Sequence, residues 1–121
     1  MELSELIRVA RGEVPADLVL RNAQLVNVFA GEIEPADIVV RRSWVAALGD
    51  GYEGSKVVDL QGRYVCPGFI DAHVHIESSL CTPPEFFRAV LARGVTSLVT
   101  DPHEIANVLG LEGIRFMLDA A

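Results

Sequence analysis

Apolar and polar positions change their period about halfway along this 121-residue chain. Leu3, Leu6, Ile7 and Ala10 recur at the three-and-four spacing of one helical face, and Gly12 with Pro15 ends that pattern. Beyond it the apolar runs become short: Asp17-Leu-Val-Leu-Arg21, Gln24-Leu-Val-Asn-Val-Phe29, Ala36-Asp-Ile-Val-Val-Arg41, Trp44-Val-Ala-Ala-Leu48 and Lys56-Val-Val-Asp-Leu60. Turn-forming Asn22-Ala23, Ala30-Gly31, Arg42-Ser43, Gly49-Asp50-Gly51 and Gln61-Gly62 separate them. Short strands at this spacing predict an antiparallel sandwich or small barrel. Residues 66–121 alternate strand with helix instead. A strand over 69–76 is entered through Pro67-Gly68, and a helix over 83–92 follows. Thr82 is its expected N-cap, Pro83 sits where a missing N–H costs nothing, and Glu85 is placed to close a capping box. β-Branched Val95-Thr-Ser-Leu-Val-Thr100 predicts a second, buried strand, and helices are expected over 104–109 and 111–120, parted by Gly110. This order implies a βαβ crossover and a parallel sheet. A closed parallel barrel takes eight such units and about 250 residues. The last helical pattern also lacks a cap, so the chain is expected to begin something larger.

Composition narrows the partners. Half the residues are apolar and the charged fraction is 22%, which is ordinary for a folded domain. The formal charge is −7 and the Lys and Arg residues are scattered, which argues against a nucleic-acid backbone partner. A neutral nucleobase remains compatible. No apolar stretch approaches the roughly 20 residues of a membrane span. The acidic start, Met-Glu-Leu-Ser-Glu, lacks the basic region of a secretory signal. Two cysteines, Cys66 and Cys81, are too few for a disulfide framework, so a reducing, cytoplasmic location is expected. Cys66 abuts the histidine motif and reads either as a thiolate ligand or as a small buried hydrophobe.

The chemistry concentrates in Val65-Cys-Pro-Gly-Phe-Ile-Asp-Ala-His-Val-His-Ile-Glu77. Side chains two apart on a strand share a face, so His73 and His75 are placed to grip one cation. Imidazole suits zinc, iron, nickel and copper better than magnesium or calcium. Glu77 shares that face if the strand persists so far, as a carboxylate behind a ligand, a substrate contact, or a solvated strand-end residue. Asp71 has the opposite parity and is expected to make a structural hydrogen bond. Pro102 disfavours helix at Asp101, which turns His103 and Glu104 toward the end of the second strand. There His103 is either a substrate contact or extra ligand, or merely polar behind a helix-capping Asp101. Ser78 and Ser79 lack a His–Asp relay. No Cys-x-x-Cys, His-Glu-x-x-His, Walker loop or dinucleotide glycine fingerprint occurs.

The block Pro67-Gly-Phe-Ile-Asp-Ala-His-Val-His75 resembles the first barrel strand of the amidohydrolase superfamily. Its members pair a metal-bearing (β/α)8 barrel with a small β-sandwich built from both chain ends. His73-Val-His-Ile-Glu-Ser-Ser79, Pro84-Glu-Phe86, Gly94-Val-Thr96 and Thr100-Asp-Pro-His-Glu-Ile-Ala-Asn-Val-Leu-Gly110 narrow the resemblance to the adenine deaminase family. The runs Ala16-Asp-Leu-Val-Leu20 and Leu25-Val-Asn-Val-Phe29-Ala-Gly31-Glu-Ile33 extend it over nearly the whole chain. The resemblance implies that residues 1–65 are part of the sandwich and 66–121 the first two βα units of an incomplete barrel. It also implies that His73 and His75 are metal ligands for Mn2+, Fe2+ or Zn2+, with Glu77, His103 and Glu104 as substrate contacts or as support behind the ligands. The implied reaction is hydrolysis of adenine to hypoxanthine and ammonia by the complete protein. The remaining metal ligands and the proton-shuttling Asp would lie beyond Ala121, so no catalytic group is assigned within this chain and it is expected to be inert alone. A homo-oligomer, or association through an unfinished sheet edge, is expected. The alternatives are another amidohydrolase acting on a different cyclic amide or aminated ring, and a non-catalytic β-rich scaffold.

Overall fold

A computed structural model describes residues 3–120. The chain divides into two compact units, Met1–Pro67 and Gly68–Ala121.

In the first unit, helix α1 (Leu3–Ala10) precedes five strands: β1 (Ala16–Asn27), β2 (Glu32–Arg41), β3 (Trp44–Leu48), β4 (Gly54–Asp59) and β5 (Tyr64–Val65). They form one sheet in the order β3-β2-β1-β4, with β5 also on β1. Among the described residues this is a single sheet, and its topology is mixed. β2 and β3 pair antiparallel, as expected, but β4 and β5 run parallel to β1. The chain reaches that arrangement by passing from β3 at one edge to β4 at the other through residues 49–53.

The sequence also divides β1 in two at Asn22-Ala23, whereas the strand continues through a bulge. Its register with β2 shifts between Leu20 and Ala23. Asn22 takes φ 56°, a left-handed conformation asparagine tolerates better than most residues. Two carboxylates hold it there: its backbone N–H donates to Asp37 (2.9 Å) and its side-chain amide to Asp59 (2.9 Å). The same local chemistry that makes a turn in an isolated peptide makes a kink inside a paired strand.

Val9 of α1 closes against Ala16, Val19 and Val39, all at most 1% exposed, with Val14, Ala46, Ala47 and Tyr52 around them. The Tyr52 hydroxyl donates to the Ala10 carbonyl at 2.8 Å, tying the end of α1 to the loop before β4. Arg41 donates to Glu5 (2.5 Å) and also pairs with Asp17, and the Arg42 backbone N–H donates to Asp17 at 2.7 Å. Hydrogen bonds, reinforced by the nearby guanidinium charges, hold Glu5 and Asp17 below the usual carboxylate range. For Glu5 the largest cause is the Arg41 hydrogen bond, and for Asp17 it is the Arg42 N–H.

In the second unit, β6 (Phe69–Val74) and β7 (Val95–Thr100) pair in parallel, joined by α2 (Pro83–Leu91); α3 (His103–Leu109) and α4 (Leu111–Asp119) follow. This is the expected βαβ order. Gly68 stands where a Cβ would come within 2.8 Å of the Thr96 Cβ and 2.2 Å of its Oγ1, so glycine there lets β6 approach β7. Gly113 likewise abuts the Ile105 carbonyl, which a Cβ would meet at 2.7 Å. Thr82 stands at the N-cap of α2, but its side chain makes no cap hydrogen bond. Glu85 pairs with Arg88 at 2.9 Å, so the expected capping box is not formed. Cys66 and Cys81 are both free and exposed, which corrects the reading of Cys66 as a buried hydrophobe. No helix of the described residues is long and apolar enough to cross a membrane.

Candidate metal centre

β6 ends at Val74, one residue before His75. The two imidazoles nevertheless lie together, their ring centroids 4.8 Å apart. Asp71, at opposite parity, accepts the His73 backbone N–H at 3.2 Å, the structural hydrogen bond its position predicted. The parallel register aligns Val74 with Thr100. The residues just past each strand therefore meet: the His75 Nδ1 is 2.9 Å from the Asp101 carbonyl oxygen.

Asp101 is the residue that sequence reasoning did not name as a donor. One of the two readings left open had it capping the next helix, but Pro102 occupies that N-cap and no side chain caps α3. Its carboxylate instead joins His73 and His75 in a group whose donor atoms all lie within 4.8 Å of one another. Pairing the two strands in parallel and in register, from sequence, would have revealed it. His103 completes the surroundings, with its Nδ1 at 3.1 Å from Asp101 Oδ2 and its ring centroid 4.7 Å from that of His75. Two imidazoles and a carboxylate are a donor set that zinc, iron and manganese accept. In a tetrahedral zinc site, with metal–donor distances of about 2.1 Å, the donors stand about 3.4 Å apart, so binding one such ion draws these side chains inward.

Glu77 and Glu104 lie apart from this donor group. The strand does not persist to Glu77, which opens a 3-10 turn, Glu77–Ser79. One carboxylate oxygen of Glu77 accepts the Ile105 N–H at 3.3 Å, and the other is buried without a partner. Glu104 accepts the Ser78 hydroxyl at 2.6 Å. Both line a shallow cavity of about 280 Å3 with Ile105, Val108 and Leu109.

Comparison with known proteins follows the same outline. A profile described as "Amidohydrolase family" matches residues 64–121. The adenine deaminase of Kosmotoga olearia is 56% identical over 118 residues, covering 98% of this chain and 20% of that protein. The adenine deaminase of Listeria welshimeri is 51% identical over 120 residues, covering 99% of this chain and 21% of that protein. The chain belongs to the adenine deaminase family of the amidohydrolase superfamily. It spans about a fifth of the length of these relatives.

Two solved structures extend the likeness to the backbone. N-acyl-D-glutamate deacylase from Bordetella bronchiseptica, complexed with zinc and a phosphonate inhibitor, superposes with TM-score 0.60 at 26% identity, covering 72% of this chain and 19% of that one. L-hydantoinase from Arthrobacter aurescens gives 0.59 at 28% identity, covering 72% of this chain and 21% of that one. The mixed fold here is that of an incomplete (β/α)8 barrel preceded by a sandwich-like region.

Proposed function

We propose that the complete protein containing this chain is a metal-dependent aminohydrolase that converts adenine and water to hypoxanthine and ammonia. The observation that carries this is the convergence of His73 and His75 within a chain about half identical to adenine deaminases. Residues 66–121 contribute the first two βα units of its barrel, and 1–65 a portion of its sandwich. His73 and His75 hold a divalent ion, with Mn2+ or Fe2+ favoured by the family resemblance alone and Zn2+ accepted by the same donors. When bound, that ion lowers the pKa of water toward neutrality and so supplies the nucleophile for hydrolysis. The chain's own contribution is orientation. The Asp101 carbonyl can only accept, so it fixes the proton on His75 Nδ1 and leaves Nε2 to face a cation. Glu77 and Glu104 are assigned as substrate contacts or as supports for the ligands; their shared cavity favours the assignment.

The exposed thiols Cys66 and Cys81 suit a reducing, cytoplasmic compartment. Phe69, Ile70 and Val99 of the two-stranded sheet are each more than half exposed, which favours burial against further barrel units or a second copy. A charge of −7 without a basic cluster argues against nucleic acid.

The test is to follow hypoxanthine formation from adenine by the complete protein loaded with Mn(II), Fe(II) or Zn(II). The 121-residue chain alone is expected to be inert. Turnover by the chain alone would refute the need for further ligands. Turnover of another cyclic amide or aminated ring, with adenine untouched, would move the assignment to a sister activity. No metal-dependent hydrolysis at all would favour a scaffold role.

A further inference from the structure

We propose that the metal centre has a component from the second strand: Asp101 is a third protein donor beside His73 and His75, and His103 is the positioning residue that aims it. This rests on the metal-hydrolase reading but adds residues that the paired-histidine motif does not contain. Asp101 works at two levels. Its main-chain carbonyl, 2.9 Å from His75 Nδ1, selects the tautomer of that ring. Its carboxylate lies within 4.8 Å of the donor atoms of both histidines. A carboxylate that is 59% exposed, on a side chain with two free torsions, has no reason to keep that orientation unaided. His103 supplies the reason. Its Nδ1 sits 3.1 Å from Asp101 Oδ2, so one oxygen is held and the other is left for a cation. The His103 ring in turn stands edge-on to His75 at 4.7 Å, closing a chain from His103 to Asp101 to His75 and back.

The contacts also show how the strand ends stay in place. Ser78 donates to Glu104 at 2.6 Å and the Ile105 N–H to Glu77 at 3.3 Å. The turn after β6 and the first turn of α3 are thereby held together on either side of the donor group. His103 therefore starts from a fixed backbone position, as a positioning residue must.

The experiment uses the complete protein, stripped of metal and titrated with Co(II), whose visible absorption reports the donor set. Asp101→Asn should shift the Co(II) spectrum and weaken binding. His103→Ala should weaken binding roughly 10- to 100-fold, the range for residues that orient a ligand. The decisive pair is His103→Asn against His103→Gln. The Asn amide can stand where Nδ1 stands, whereas the Gln amide falls nearer Nε2. Asn should therefore stay within about threefold of the unsubstituted protein while Gln behaves like Ala. Equal affinities and spectra for Asn, Gln and Ala, with binding still lost in His75→Ala, would overturn the role of His103 and leave the histidine pair intact. Binding unaffected by His73→Ala and His75→Ala would overturn the metal reading as well. Adenine turnover is no part of this readout. A protein that shows the expected variant order but leaves adenine untouched upholds this inference and overturns the deaminase reading.

Discussion

In the first unit Val9, Ala16, Val19 and Val39 are all sealed at 1% exposure or less, in one layer of helix on sheet. In the second, the closed positions among the described residues are Ile76, Pro83, Gly113 and Met117. Its strands leave Phe69 at 58%, Ile70 at 68% and Val99 at 57% exposure. Polar groups are distributed just as unevenly. The first unit uses its charges to fasten α1 and β1 to the end of β2 through Arg41, whereas the second gathers its titratable groups where β6 and β7 end. Stability and chemistry are therefore drawn from different stretches of the chain. A half-covered parallel sheet is typical of a piece meant to be packed on both faces. A helix lying on a mixed sheet can close a core without further help on that side.

The harshest way to break the comparison is at Gly68. An alanine there drives its Cβ into the Cβ, Oγ1 and Cγ2 of Thr96, at 2.2–2.8 Å, and β-branched Thr96 has little rotamer freedom with which to yield. β6 must move away from β7, and His73 and His75 move with it. Gly68→Ala is expected to abolish Co(II) binding by the complete protein, while hydrogen exchange in β1 and β2 remains slow. Adding Thr96→Ala, which removes the two nearest atoms, should recover part of the binding. Unchanged binding in Gly68→Ala would show that strand approach does not set the site.

A smaller effect sharpens the same contrast from the other side. Val19→Ala deletes two buried methyl groups from the sealed layer and should cost about 2 kcal/mol of stability by urea denaturation. The folded protein should still bind Co(II) with unchanged affinity, because all three donors belong to the other unit. A tenfold loss of affinity on this substitution would show that the two stretches are not energetically separate.

How much of this was readable beforehand follows from how local each signal is. α1, β3, α2 and the β6-α2-β7 order depend on spacing and breakers within the segment itself, and the sequence pattern places them within a residue or two. The pairing of β1 with β4 depends on residues more than thirty positions apart, which no local pattern encodes. Asn22 shows the limit most clearly. Its turn-like chemistry is real, but Asp37 and Asp59, supplied by neighbouring strands, convert a turn into a bulge. At the site, the closeness of the His73 and His75 rings was legible because both belong to one short local segment, even though β6 ends at Val74. Asp101 was not, because its place beside His75 depends on the register between two strands.

The smallest effect predicted is the dependence of the first unit on acid. Glu5, Asp17 and Asp59 are all held below the usual carboxylate range: Glu5 first by the Arg41 hydrogen bond, Asp17 by the Arg42 N–H and Asp59 by the Asn22 amide. A carboxyl depressed in the folded state binds protons less readily there than in the unfolded chain. Its contribution is therefore complete at neutral pH and is lost as pH falls through the ordinary carboxylate range, below about 4. The Glu5 and Asp17 side chains are 30% and 42% exposed, so water and salt screen the pairs and the slope should be modest. Arg41→Met removes the largest cause for Glu5 and, for Asp17, both the charge and the side-chain hydrogen bond of Arg41 while leaving the Arg42 N–H. Its unfolding midpoint should sit below that of the unsubstituted protein at neutral pH and converge with it in acid. Asp59, fastened first by Asn22 rather than by a cation, should keep its share of the acid slope in that variant and lose the larger part of it in Asn22→Gly, which keeps the left-handed backbone and deletes the amide but leaves the Gln61 N–H on Asp59. An acid slope identical in all three proteins would show that these contacts, though formed, do not set the stability of the sheet.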